Sequence, residues 1–335
     1  MSTGPATSRL LIGFDGTSLP TEVARLAHDA VIAGVVLFAR NIESTPQWAA
    51  LVEEIVGAFP PGLPPIIAVD QEGGAVQRLK PPAIPEATRV PPMGELAEWL
   101  DERDFEGLGR AMGGELAALG VNVDFAPVLD VDTNPDNPVI GKRAFGRTPE
   151  AVIARGLAFA RGLERAGIAW CAKHFPGHGD TRLDSHFALP SLPHDLARLE
   201  AVELVPFAAA VRAEAPMIMS AHVVFSALDR EHPATLSPRV IPDLLRRRLG
   251  YNGVVVSDDL DMLAIRDHYD AAGVARGLAA ADVDLALVCR DLDFARAVAA
   301  ALPESPRALA RVTALRRRLA PPRIGVVPPF PQGLV

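Results

Sequence analysis

Short apolar, β-branched runs recur along this chain and alternate with longer stretches rich in Ala, Leu, Arg and Glu. Eight runs stand out: Leu10 to Gly16, Gly34 to Arg40, Pro65 to Gly74, Val121 to Val131, Gly167 to Gly177, Met217 to Phe225, Gly253 to Met262 and Val283 to Cys289. Runs of this kind read as buried strands. The intervening stretches Thr21 to Ile32, Pro46 to Phe59, Pro149 to Ala166, Leu196 to Ala213 and Pro238 to Leu249 read as helices. Several of them open with Ser or Thr at the N-cap and Pro in the first turn. Strands that alternate with helices form βα units around a parallel sheet, and eight such units predict a (β/α)8 TIM barrel, an α/β fold in one domain over residues 1–335. Polar residues gather just past the C-terminal ends of the runs: Asp15, Arg40, Asp70 to Glu72, Asp124, Asp130, Lys173 to His186, His222 and Asp258 to Asp261. Barrel enzymes build their sites on that rim. A doubly wound open sheet shares the alternation, but no Gly-x-Gly-x-x-Gly follows the first run, so a dinucleotide site has no support.

Composition narrows the class. The chain has 335 residues, 49% of them hydrophobic, enough for a large core. Only 5% are aromatic, so Ala, Val and Leu must fill it. With 33 basic against 41 acidic residues the net charge of −8 argues against a nucleic-acid partner, and Arg246-Arg247-Arg248 reads as a solvated helix end. Cys171 and Cys289 sit inside apolar runs and read as small buried hydrophobes. Residues 1–9 lack a basic segment followed by an apolar one, and no run approaches 18 apolar residues. A cytoplasmic protein with no membrane partner is expected. The Pro-rich tail Pro321 to Val335 is expected to wrap the surface or stay mobile, and the Pro-rich loop Pro81 to Pro92 to lie beside the mouth of the site.

The segment from Lys173 to His186 packs three histidines, two aspartates, a lysine and an arginine directly after the run Gly167 to Ala172. Pro176, Gly177 and Gly179 forbid a helix there, so a strand feeds a functional loop. Asp184 lies two positions from His186, close enough in a turn to hold the imidazole and raise its basicity, as an acid/base dyad requires. A second cluster, Ser257-Asp258-Asp259-Leu260-Asp261-Met262, ends the run Val254 to Val256 and faces a barrel's cavity. A carboxylate there can be a nucleophile, a stabiliser of a cation or a metal ligand, with Asp261 the one best read as an acid at a helix N-terminus. His174, His178, His186, His222 and Asp258 can be written as ligands of a barrel metallohydrolase. Such sites, however, place His-x-His after the first strand, where this chain has Gly13-Phe14-Asp15-Gly16. Neither metal nor cofactor is expected.

The strings Val69-Asp70-Gln71-Glu72-Gly73-Gly74 with Arg78, Asn122 to Asp130, Gly141-Lys142-Arg143-Ala144-Phe145-Gly146, Lys173-His174-Phe175-Pro176-Gly177-His178-Gly179, Asp184-Ser185-His186 and Ser257-Asp258-Asp259-Leu260 resemble glycoside hydrolase family 3. Within it the chain is similar to the single-barrel bacterial β-N-acetylhexosaminidases of peptidoglycan recycling, in the right order over most of its length. The resemblance implies a retaining exo-β-N-acetylglucosaminidase that hydrolyses terminal N-acetylglucosamine from muropeptides. Asp258 is then the nucleophile, and His186, oriented by Asp184, the general acid and later the base. It also implies that Asp70, Arg78, Arg143, Lys173 and His174 bind the sugar. The expected partner is a carbohydrate, and the expected state a monomer. Two positions depart from the family's pattern: Ala144 and Asp261 stand where Ser is common. Asp261 is expected to bring negative charge near the nucleophile. A β-glucosidase or glycoside phosphorylase of the same family, and a catalytically silent sugar sensor, are the rival readings.

Overall fold

A computed structural model describes residues 9–62, 64–185 and 189–335. Among them, eight parallel strands close into a barrel: β1 (Leu10–Ile12), β2 (Gly34–Val36), β3 (Ile66–Val69), β4 (Val123–Asp124), β5 (Ala169–Phe175), β6 (Met217–Ser220), β7 (Val254–Asp259) and β8 (Leu285–Val288), with β8 paired back onto β1. Each lies within one of the apolar runs. Successive strand residues point to opposite faces, and the core divides accordingly. Leu11, Val36, Ala68, Cys171, Met217, Met219, Val256, Leu285 and Leu287 fill the barrel interior. Their neighbours Leu10, Ile12, Val35, Ile67, Val69, Ala172, Ile218, Val255 and Val288 belong to the larger cluster that also takes in helix residues such as Trp48, Leu51, Phe159 and Val298. Both faces of the sheet are buried, which is why the strands read as continuous apolar runs rather than alternating ones.

Helix starts follow the capping chemistry. The hydroxyl of Ser44 accepts the Gln47 amide ahead of helix Thr45–Ala58, Thr148 accepts that of Ala151 ahead of Pro149–Arg165, and Ser305 that of Ala308 ahead of Pro306–Arg318. The stretch Leu196 to Ala213 is not one helix but two, Leu196–Ala201 and Leu204–Arg212. Pro206 has no N–H for the Val202 carbonyl and its ring excludes that carbonyl, so the break falls at Val202. Arg246 also departs from the solvated reading. It is largely buried at the N-terminal end of the barrel, where it and Arg311 pair with the fully buried Asp284. Arg247 and Arg248 do lie in the open, paired with Asp243 and Glu200.

The tail packs against the barrel. Ile324 bridges to Leu119, the Gly325 amide donates to the Ala118 carbonyl, and Phe330 and Leu334 pack on the core. Loop 81–92 braces the hairpin that follows β3, its Val90 carbonyl accepting the Gly74 amide at 2.7 Å. Among the described residues no helix is long and apolar enough to cross a membrane.

Candidate active site

A cavity of about 150 Å3 opens at the C-terminal end of the barrel, lined by Asp70, Glu72, Arg78, Arg143, Lys173, His174, His178, Ser185, Asp258 and Asp259, with apolar walls that include Phe38, Phe125, Met219 and Met262. Pockets for drug-sized ligands run to roughly 300–1,000 Å3, so this one suits a single ring rather than a chain.

Its floor is an ion network drawn from the ends of β3 and β5 and from the loop that follows β4. Lys173, the fifth residue of β5, is fully buried; its Nζ lies 2.9 Å from Asp70 Oδ1 and also pairs with Glu72. Asp70 follows β3 directly and receives Arg78 from the hairpin Gln71–Gly73/Val76–Gln77 at 3.0 Å. Arg143 grips both oxygens of Glu72, through Nε and a terminal nitrogen, at 2.8 Å each. Burial alone would raise both acids. The cations outweigh it, holding Asp70 far below the usual carboxylate range through Lys173 and Arg78, and Glu72 at about 2 through Arg143 and Lys173. Burial likewise opposes the charge on Lys173, and Asp70 and Glu72 overcome it, so the amine titrates above its ordinary value. Three cations against two carboxylates leave one net positive charge facing the acids of β7.

A second network fixes the histidines. Asp130, fully buried, places Oδ2 2.7 Å from His174 Nδ1 and accepts the His178 amide on Oδ1 at 2.6 Å. The His178 ring lies between Thr181 Oγ1 at 2.8 Å from Nδ1 and Ser185 Oγ at 3.0 Å from Nε2. Burial first, and the neighbouring His174 second, push His178 down to about 4, so it is neutral near pH 7. Gly179 is required for close approach, since a Cβ there would sit 1.8 Å from the Val131 carbonyl oxygen.

Asp258 stands on a β-bulge. Val256 pairs with Leu285 and Asp259 with Leu287, so β7 carries one more residue than β8 across the same interval. Side chains take over the disturbed ladder. Ser257 Oγ accepts the Leu287 amide at 2.9 Å, and Asp259 Oδ1 accepts the amides of Cys289 and Asp261 at 3.0 Å each. Asp258 Oδ1 accepts the Asp259 amide at 2.8 Å. Burial, then the charge of Asp261, lifts Asp259 to about 7.

The cavity thus gathers Asp70, Arg78, Arg143, Lys173, His174 and Asp258. Asp184 is half-buried next to the lining residue Ser185, while His186 lies outside the described residues. Glu72 and Asp130 join the site without a role assigned from sequence, and His178, weighed there only as a metal ligand, joins it through Asp130, Thr181 and Ser185. Glu72 and Asp130 occur in the motif strings, but their partners Arg143 and His174 are distant in the chain. Asp261 does not serve the helix that follows it. Its Oδ2 accepts the amides of Arg290 and Asp291 at 2.7 and 3.0 Å and Oδ1 meets Arg266 at 3.1 Å, a cation that it shares with Asp291. Ala144 is buried under Gly94, next to the Arg143 turn.

A closed parallel barrel with its polar cavity at the C-terminal rim is the layout of (β/α)8 enzymes. Residues 13–320 match the glycosyl hydrolase family 3 N terminal domain, and the chain belongs to that family. It is 41% identical over 292 residues to a beta-hexosaminidase of Chromobacterium violaceum, covering 85% of this chain and 79% of the relative. It is 39% identical over 287 residues to beta-hexosaminidase A of Pseudoalteromonas piscicida, covering 81% of this chain and 48% of that protein, so the chain spans about half of the latter's length. Among solved structures, NagZ from Neisseria gonorrhoeae in complex with N-trifluoroacetyl-D-glucosamine superposes with a TM-score of 0.83 at 34% identity, covering 94% of this chain and 91% of that one. A family 3 β-N-acetylglucosaminidase from Paenibacillus sp. reaches 0.88 at 38% identity, covering 95% of this chain and 62% of that one.

Proposed function

We propose that the chain is a retaining exo-β-N-acetylglucosaminidase that releases terminal, non-reducing N-acetylglucosamine from peptidoglycan fragments, acting in the cytoplasm as a single-barrel monomer. The observation that carries the reading is the buried Lys173–Asp70–Arg78 and Glu72–Arg143 network facing Asp258 across a cavity sized for one ring. Fixed charged donors and acceptors in that arrangement hold sugar hydroxyls in one orientation, lowering the entropic part of the barrier. His174, braced by Asp130, adds a further polar contact. The family resemblance and the named relatives support the N-acetyl preference.

In this reading Asp258 attacks the anomeric carbon and the glycosidic C–O bond breaks. His186, oriented by Asp184, delivers its proton to the departing oxygen. The covalent glycosyl-enzyme is then opened by water, whose proton returns to His186, and the two inversions give net retention. His186 acts as the acid in its imidazolium form and is neutral once the proton has left, so at no stage does it repel the carboxylate nucleophile as a second carboxylate would.

Leaving-group dependence tests the roles. His186→Ala should slow glycosylation with poor leaving groups by roughly 10²–10⁴, and with activated aryl groups far less, because these need little protonation. Asp258→Asn should abolish turnover of both. Equal losses for the two leaving-group classes in His186→Ala would remove His186 from the acid's role.

A further inference from the structure

His222 lies next to β6, two residues past its end, with no exposed surface, and the reaction above does not use it. Its Nε2 is 3.0 Å from the carbonyl oxygen of Asp259. A carbonyl only accepts, so this ring nitrogen carries the hydrogen. The other nitrogen, Nδ1, lies 2.8 Å from Thr235 Oγ1, and that oxygen accepts from Ser220 Oγ at 2.9 Å. All three side chains are fully buried. They form a polar strut running from β6 to the bulge of β7.

The strut meets β7 at its bulge. On the β8 side the displaced ladder groups are satisfied by Ser257 Oγ and Asp259 Oδ1. On the β6 side the Asp259 carbonyl has passed beyond the last β6–β7 pair, which ends at Val256 with Met219. On the β7 side of the turn the Met262 amide reaches this oxygen at 3.1 Å, and His222 supplies the donor that comes from β6. The same Asp259 whose carbonyl it holds donates its amide to the Asp258 carboxylate. Moving that residue therefore turns Asp258.

We propose that His222 is a positioning residue for Asp258, holding the Asp259 carbonyl so that the bulge presents the Asp258 carboxylate to the cavity at a fixed angle. The proposal rests on Asp258 being the nucleophile. A misplacement of about 1 Å can cost about 10²-fold in rate, whereas ground-state binding by Lys173, Arg78 and Arg143 does not pass through this strut.

Two amide replacements separate the ring's two bonds. His222→Gln puts an N–H near the Nε2 position, and His222→Asn reaches only the Nδ1 position. With an aryl β-N-acetylglucosaminide, kcat/KM should fall about 10²-fold in His222→Asn, and His222→Gln should recover at least about tenfold of that. The inhibition constant of free N-acetylglucosamine should stay within a few-fold of wild type in both. Thr235→Val, which keeps the shape but removes the hydroxyl at Nδ1, should lower kcat/KM in the same direction by less, and it serves should the His222 variants fail to fold. Equal activity of the Asn and Gln variants, inhibitor binding that weakens in step with kcat/KM, or an unchanged kcat/KM in folded variants overturns the positioning role. Full turnover in Asp258→Asn would instead bring down the reading beneath it.

Discussion

Lys173 pairs with two acids of the site at once. It is buried to 2% exposure between Asp70 and Glu72, and breaking a buried ion pair costs on the order of 3–5 kcal/mol. Because each acid keeps an arginine, Lys173→Met should fall at the lower edge, about 3 kcal/mol, seen as a lower urea midpoint, together with a raised KM. A variant as stable as wild type would show the network to be no stronger than a surface pair. Two other residues titrate against each other. His178, at about 4 when folded and 6.5 in its ordinary state, binds its proton more readily unfolded, so it removes stability as pH falls through 6.5 toward 4. Asp259, at about 7 when folded against 3.8, takes up its proton earlier in the folded state and adds stability over the same descent. Between pH 7 and 5 the two oppose. Urea denaturation at both pH values should therefore show His178→Asn gaining stability on acidification relative to wild type, and Asp259→Asn losing it, each on the order of 2 kcal/mol; parallel slopes for all three proteins would refute these shifts. Glu72 and Asp130 show what residue-level reading misses. Their types and positions are visible, but Arg143 lies 71 residues from Glu72 and His174 44 from Asp130, and such pairings exist only once the barrel closes.

Elements were the most legible scale, for a physical reason. Strands buried on both faces must be apolar throughout, and helix starts need a cap, so both leave local marks. Marks were also available where the reading failed: Pro206 already forbids a continuous helix from Leu196 to Ala213. The bulge of β7 left no such mark. Ser257 and Asp259 look like further polar residues at a strand end, and their service to the β8 ladder appears only with the register. Helix–helix contacts are equally non-local. Helices Glu102–Ala118 and Pro149–Arg165 approach so closely that a Cβ on Gly162 would lie 2.3 Å from the Glu106 carbonyl oxygen, and one on Gly109 would lie 2.1 Å from that of Phe159. Gly162→Ala should cost about 1–3 kcal/mol by overpacking, read as a lower Tm with kcat unaltered at low temperature. An unchanged Tm would mean that the two helices can separate freely.

At the scale of the whole molecule, the closed barrel brings to one rim charged side chains from Asp70 to Asp259 and gives them a common cavity. In the proposed reaction this rim cleaves a β-linked N-acetylglucosamine through Asp258. Initial rates on an aryl β-N-acetylglucosaminide and an aryl β-glucoside, measured side by side with and without phosphate and with Asp258→Asn as the blank, test it most directly. Release should come from the N-acetyl sugar alone, independent of phosphate and absent in the variant. Release that requires phosphate, release from the glucoside instead, or full activity in Asp258→Asn would contradict it.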